Sequence, residues 1–180
     1  MEKAEQNLVN AGLIFMFSVW LQGQMSDLVI LKKNPDLIAD FVAHPARVPG
    51  TFHKIRVKYW EKQFGEVKNE FLDVFNDELS EHEVKDIEDI YLIRNMIGHA
   101  HVSMGRDYML YRPAGTRKEQ AVLETLKPKP VNDPSNPLIL KLELWRDELF
   151  KNLSNQIERL DQACFSRLAT MLGVPHGRIR

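Results

Sequence analysis

A single cysteine, Cys164, stands in this chain of 180 residues. An intrachain disulfide is therefore impossible, and a zinc site built on several thiolates is excluded. That scarcity suits a reducing compartment, so a cytoplasmic protein is expected. Net charge is equally scarce: 24 Lys and Arg against 25 Asp and Glu leave a formal charge of -1. No global field draws the molecule to nucleic acid or to an anionic membrane, and any site for a polyanion has to be a local patch. A glycine-rich phosphate loop, a Ser-His-Asp order and a dinucleotide fingerprint are all missing, and no cofactor is expected. The strongest membrane-like run, Ala11 to Leu21, falls well short of the ~20 apolar residues that span a bilayer. It lacks the basic start of a secretory signal, because Glu2 and Glu5 flank Lys3, and no small-residue cleavage site follows Leu21. The expectation is a buried helix segment and no membrane association.

Hydrophobic residues at 44% and charged residues at 27% are those of an ordinary globular protein with one sizeable core. Breakers then divide the chain. A first helix is expected from about Lys3 to Lys32, since no proline interrupts it before Pro35. Asn34-Pro35 and the stretch Ala43 to Gly50 enclose a short helical piece around Asp36 to Val42. Thr51 offers an N-cap for a helix with Phe52, Ile55, Tyr59 and Trp60 on one face. Gly65 is expected to interrupt it, with a further helix from about Glu66 to Phe75. Ser80 followed by Glu83 has the form of a capping box, and the helix it starts is expected to reach about Ser103, with Gly105 near its end.

After that the period changes. Asp107 to Arg112 reads as a strand, Pro113 to Thr116 as a turn, and Gln120 to Leu126 as a second strand. Lys127 to Pro137 is too proline-rich for regular structure, and Leu138 to Glu143 reads as a third strand. A last long helix is expected from about Trp145 to Leu172, ending at Gly173, with a loose tail over residues 175–180. The expected architecture is a mostly α single domain over residues 1–174: a helical bundle with a small β excursion, about residues 107–144, between its last two long helices.

The Ser80 helix carries the residues with chemistry. At ~100° per residue, Ile90, Ile93, Met96, Ile97, Ala100 and Met104 gather on one side as the core-facing stripe. Arg94, Asn95, Gly98 and His99 fall on another, beside Val84, Ile87, Tyr91 and Val102. Arg94 and His99 are ~140° apart around the axis and ~7.5 Å apart along it, with Asn95 and Gly98 between them. A mid-helix glycine costs ~1 kcal/mol relative to alanine, and leaves an open floor between a cation and an imidazole. A two-fold dimer would bring two such mixed faces together and duplicate every group.

Arg94-Asn95-Met96-Ile97-Gly98-His99 resembles the signature of the HEPN superfamily: an Arg, a polar residue after it, and a His after a short fixed gap. The resemblance covers these six residues closely and the helical order loosely. It implies a HEPN-like bundle and metal-independent RNA cleavage by a homodimer, the two motifs facing each other across the interface. It also suggests a toxin or phage-defence role, with an antitoxin or regulatory protein as partner. The residue types suit that chemistry. Histidine titrates near neutral pH and serves as base or acid, and arginine presents a charged planar fork to phosphate oxygens. Two copies of His99 would divide the acid and base roles, and Asn95 would orient His99 or bind phosphate. In toxins of this family a Tyr often stands two residues beyond the His; here that position is His101, which puts that mode of control in doubt. His101 and Tyr91 are the auxiliary residues of the face, His101 as a phosphate ligand or second proton carrier, or simply as a helix-end histidine.

His82, His99 and His101 do not converge on a helix, and no metal site is expected. Lys54, Arg56, Lys58 and Lys62, with His53, are interleaved with Tyr59 and Trp60 and form the best RNA-guiding patch. The competing reading is an amphipathic helix with a cationic solvated side. Arg112, Arg117 and Lys118 form a weaker basic cluster. Beside the nuclease stand two other readings of the whole: a module that holds RNA or nucleotide without cutting it, and a helical protein-interaction module.

Overall fold

The computed structural model describes residues 2–44, 47–113, 120, 122–124, 129–131 and 139–179. Most of the turn expected at residues 113–116, the cations Arg117 and Lys118, and much of the proline-rich stretch 127–137 lie outside them. The described chain is mostly helical with a small antiparallel sheet. In order it forms α1 (Lys3–Lys33), α2 (Leu37–Ala43), α3 (Gly50–Trp60), α4 (Phe64–Val74), α5 (Glu81–His99), β1 (His101–Val102), β2 (Met109–Tyr111), β3 (Lys129–Val131), β4 (Ile139–Leu142), α6 (Asp147–Arg159), a π-helical segment (Leu160–Phe165), α7 (Ser166–Met171) and a 3-10 turn (His176–Arg178). It divides into two compact units, Met1–Ser18 with Glu88–Gln156, and Val19–Ile87 with Ile157–Arg180.

The first unit contains the sheet. Its strands run in the order β1-β2-β4-β3, all pairs antiparallel, with His101 opposite Leu110, Met109 opposite Leu142 and Val131 opposite Ile139. Ile14, Ile90, Ile93, Met96, Met109, Leu140, Leu142 and Leu153 are buried there. Two asparagines of α1 hold the turn after β4: the Leu144 amide donates to Asn7 Oδ1 at 2.6 Å, and Asn10 Nδ2 donates to the Leu144 carbonyl at 2.7 Å. Both asparagines are buried, and these bonds satisfy them.

Aromatic packing dominates the second unit. Phe41 and Phe52 meet with centroids 4.6 Å apart, and Phe165 sits edge-on to Phe71 at 5.6 Å. The capping box expected before α5 is present: the Ser80 amide donates to Glu83 Oε2 at 2.8 Å, and the Glu83 amide to Ser80 Oγ at 3.3 Å. Arg167 of α7 also binds the Glu83 carboxylate at 2.9 Å. Burial alone would raise the Glu83 acid, but the Ser80 and Arg167 hydrogen bonds hold it below its ordinary value.

Several expectations are corrected. α5 ends at His99, not near Ser103, because His101 and Val102 pair with β2. Gly105, expected at a helix end, instead sits in the β1–β2 connection with φ of 82°, a left-handed conformation that glycine adopts without strain. Residues 120 and 122–124 are helical where a strand was expected. Residues 129–131, expected to be irregular, form β3; it is the sheet's last strand, where Pro130 removes no hydrogen bond needed by a further neighbour. α3 starts at Gly50 after Pro49 rather than from a Thr51 cap, and Gly65 lies inside the first turn of α4. The tail is not loose. Ile179 is buried, and the Arg178 guanidinium donates to the carbonyls of Phe41 at 2.7 Å and His44 at 3.1 Å.

By length and composition, α1 is long and apolar enough to cross a membrane. Its most apolar window is 56% buried within the protein.

Candidate functional site

α5 is amphipathic in an unusual sense: one face is core and another is half covered. Ile90, Ile93 and Met96 are buried as the wheel requires. Ile97 is only half-buried, and Met104, expected on the same stripe, is 85% exposed because the helix has already ended.

On the second face Arg94 and Asn95 are half-buried, and Gly98 and His99 are exposed. Arg94 is held from two directions. Its Nη1 donates to Asn95 Oδ1 at 3.0 Å, and its guanidinium carbon lies 5.1 Å from the centre of the Phe15 ring, in the range of a cation–π contact. Its Nε is buried without a hydrogen-bond partner. Among the described residues no carboxylate neutralises it. Among the other arginines, half-buried Arg56 pairs with Asp27, half-buried Arg178 donates to the carbonyls of Phe41 and His44, and exposed Arg159 pairs with Asp86 through Nε at 2.8 Å and Nη2 at 2.9 Å. A half-buried guanidinium with open donors is a ready binder of phosphate or carboxylate.

A Cβ added at Gly98 would meet nothing within 4 Å, so the floor between Arg94 and the imidazole of His99 is open. His99 occupies the last turn of α5. Asn95 uses its acceptor to hold Arg94 and so orients the cation rather than His99. His101 is not on the helix at all: it is exposed on β1, opposite Leu110. Tyr91, one turn before Arg94 on α5, is half-buried.

The α3 patch separates into two pairs. Arg56 Nε donates to Asp27 Oδ1 at 2.7 Å, and a second guanidinium nitrogen binds Asp27 Oδ2, which makes it a fork on a buried acid. Burial outweighs this pairing and raises the Asp27 acid above its ordinary value. Lys62 Nζ binds Glu70 at 2.6 Å beside Lys33 at 2.7 Å and the Tyr59 hydroxyl at 2.8 Å. Burial would raise the Glu70 acid, but these hydrogen bonds bring it down to about 2. Arg56 and Lys62, expected in the RNA-guiding patch, are thus each engaged by a carboxylate of the chain itself. Lys54 and Lys58 remain exposed, as does Trp60, whose ring meets His53 edge-on at 5.7 Å. Trp60, expected with Phe52 and Tyr59 on the core side, is 65% exposed.

Phe15 is the contributor to the site that sequence reasoning missed. It sits in an apolar run and reads as core, and nothing local marks it as the platform of a cation 79 residues further along. Among the described residues no three His, Cys, Asp or Glu gather in a way that would hold a metal ion. Comparison with family models, with curated proteins and with solved structures finds no match.

Proposed function

We propose that this chain is an endoribonuclease of the HEPN type, cutting RNA without a metal at a site completed by a second copy. The observation that carries the reading is Arg94: a half-buried guanidinium, oriented by Asn95 and Phe15 and left without a carboxylate among the described residues, beside an open glycine and an exposed histidine.

In this scheme a ribose 2′-hydroxyl attacks the adjacent phosphorus. His99 of one copy accepts the hydroxyl proton as the P–O2′ bond forms. Arg94 stabilises the phosphorane, whose negative charge exceeds that of the starting diester. The P–O5′ bond then breaks, and the protonated His99 of the other copy delivers its proton to the leaving oxygen. The products are a 2′,3′-cyclic phosphate and a 5′-hydroxyl. Lys54 and Lys58 are the remaining RNA contacts, and Tyr91 and His101 are auxiliary. The cytoplasm, where RNA is plentiful and a lone thiol stays reduced, is the proposed compartment. A toxin or defence role with an antitoxin or regulatory partner is proposed from the family alone.

The test is cleavage of single-stranded RNA in EDTA. His99→Ala and Arg94→Ala are each expected to slow it by at least ~100-fold, the usual worth of one acid–base or charge-stabilising group. Metal-dependent cleavage, or cleavage indifferent to both substitutions, contradicts the proposal. RNA binding without cleavage would favour the non-catalytic binding module. Loss of assembly in both variants, with no effect on RNA, would favour the protein-interaction module.

A further inference from the structure

Charge is spread unevenly along this chain of net charge -1. α5 begins among Glu81, Glu83, Asp86, Glu88 and Asp89. Residues 94–112, by contrast, hold Arg94, His99, His101, Arg106 and Arg112 against a single acid, Asp107. The fold keeps that basic stretch together, because β1 starts two residues after His99 and pairs at once with β2.

The sheet has one buried and one outer face. Met109, Tyr111, Leu140 and Leu142 are buried. Side chains alternate along a strand and opposite residues share a face, so the row His101, Leu110 and Lys141 lies on the outer side. His101 is exposed there, and Leu110 and Lys141 are half-buried. Tyr108 and Arg112 continue the alternation of β2 at either end. Lys141 Nζ lies 4.4 Å from the centre of the Tyr108 ring, and Arg112 is exposed. From Tyr108 to Arg112 the face runs ~14 Å, at ~3.4 Å per residue. With β1 antiparallel to β2 and His101 opposite Leu110, Arg112 stands towards the end where α5 delivers His99, and Arg106 towards the other.

Only some of these cations are uncommitted. Glu143 binds Lys141 at 2.9 Å and also pairs with Arg146, and Asp107 acts on Lys141 as well. Arg106 and Arg112, both exposed, meet no carboxylate among the described residues. Tyr108 aims Arg106: the guanidinium donates to the Tyr108 hydroxyl, and its carbon lies 5.5 Å from the ring centre. Two open guanidinium forks, with a histidine and a tyrosine between them, suit a polyanion that carries both phosphates and flat rings. A nucleic acid strand meets both requirements; an anionic lipid headgroup or an acidic side chain meets only the first.

We propose that the outer face of this sheet is the track along which single-stranded RNA reaches Arg94 and His99. Arg112 holds the phosphate nearest the site, Arg106 one further out, and His101 lies between them. This deepens the nuclease reading by giving its substrate a path, and it rests on that reading for the choice of RNA.

Fluorescence anisotropy with a labelled 2′-O-methyl oligoribonucleotide tests it, since that strand lacks the attacking hydroxyl and reports binding alone. Arg106→Gln and Arg112→Gln are each expected to weaken binding at least ~3-fold and to lower the slope of log affinity against log salt by ~0.7, the worth of one phosphate contact on a single strand. Together they are expected to cost at least ~10-fold. Lys151→Gln, at an exposed position of α6 outside the track, is expected to cost less than ~2-fold. Wild type that ignores the oligonucleotide overturns the proposal, as does binding indifferent to the double substitution or equally sensitive to Lys151→Gln. Wild type that instead binds phosphatidylserine vesicles or polyglutamate through these arginines overturns it too. Oligonucleotide binding that the double substitution weakens, by a wild type that leaves cleavable RNA intact in EDTA, supports the track and removes the nuclease reading. Undiminished cleavage by the double variant at subsaturating RNA keeps that reading and removes the track.

Discussion

Two arginines show how position assigns different work to the same side chain. Arg56 closes a fork on the buried Asp27, whereas Arg94 rests on Phe15 and Asn95 with donors to spare. Removing Arg56 strands a carboxylate in the core. Arg56→Ala is therefore expected to cost ~3 kcal/mol in urea denaturation, the order found when a buried pair loses one partner. Lys58→Ala is expected to stay within ~0.5 kcal/mol of wild type, while lowering the slope of log RNA affinity against log salt by close to one counterion. A stability loss at Lys58, or none at Arg56, would reverse that division. Neither assignment was legible in the sequence. Arg56 and Lys58 are two apart in one cationic run, and Asp27, which separates them in role, lies on another helix.

Elements were legible wherever their signals are local. Pro35 and the Ala43 to Gly50 stretch bound α2, the Ser80–Glu83 box starts α5, and Gly173 ends the last helical run. Where non-local pairing decides, the sequence misleads. Nothing between Ala100 and Ser103 breaks a helix, yet β2 captures His101 and Val102. Leu160–Phe165 turns π-helical inside an otherwise regular pattern, with no proline or glycine to announce it. The candidate site was half legible for the same reason. Arg94, Asn95, Gly98 and His99 share one stretch of helix, while Phe15 belongs to another and His101 falls past the helix end. The glycines give a test of the element boundaries. Gly173 has φ of 74°, and the Val174 amide bonds back to the Ala169 carbonyl at 2.9 Å, closing a Schellman turn. Gly173→Ala is expected to destabilise by ~1 kcal/mol. Gly23→Ala, in the middle of α1 with open space around it, is expected to stabilise by ~0.5–1 kcal/mol. Chemical denaturation of the two variants reads opposite signs if the boundaries are right.

For the molecule as a whole, acid should act through paired carboxylates. Glu70, held to about 2 against an ordinary 4.5, favours the folded state above the ordinary value, and that contribution is lost as pH falls towards about 2. Its pairs with Lys33 and Lys62 are partly exposed, so each is worth no more than ~1 kcal/mol. Glu70→Gln is expected to flatten the fall in unfolding free energy between pH 5 and pH 3, and an unchanged slope would show that the network contributes nothing. The functional proposal is tested most directly by the ends of the RNA it produces. Incubated with a defined oligonucleotide in EDTA and read by mass spectrometry, wild type is predicted to leave 2′,3′-cyclic phosphate and 5′-hydroxyl ends, and His99→Ala to leave the oligonucleotide intact. Intact RNA with wild type, or the same cyclic ends with His99→Ala, would contradict the account.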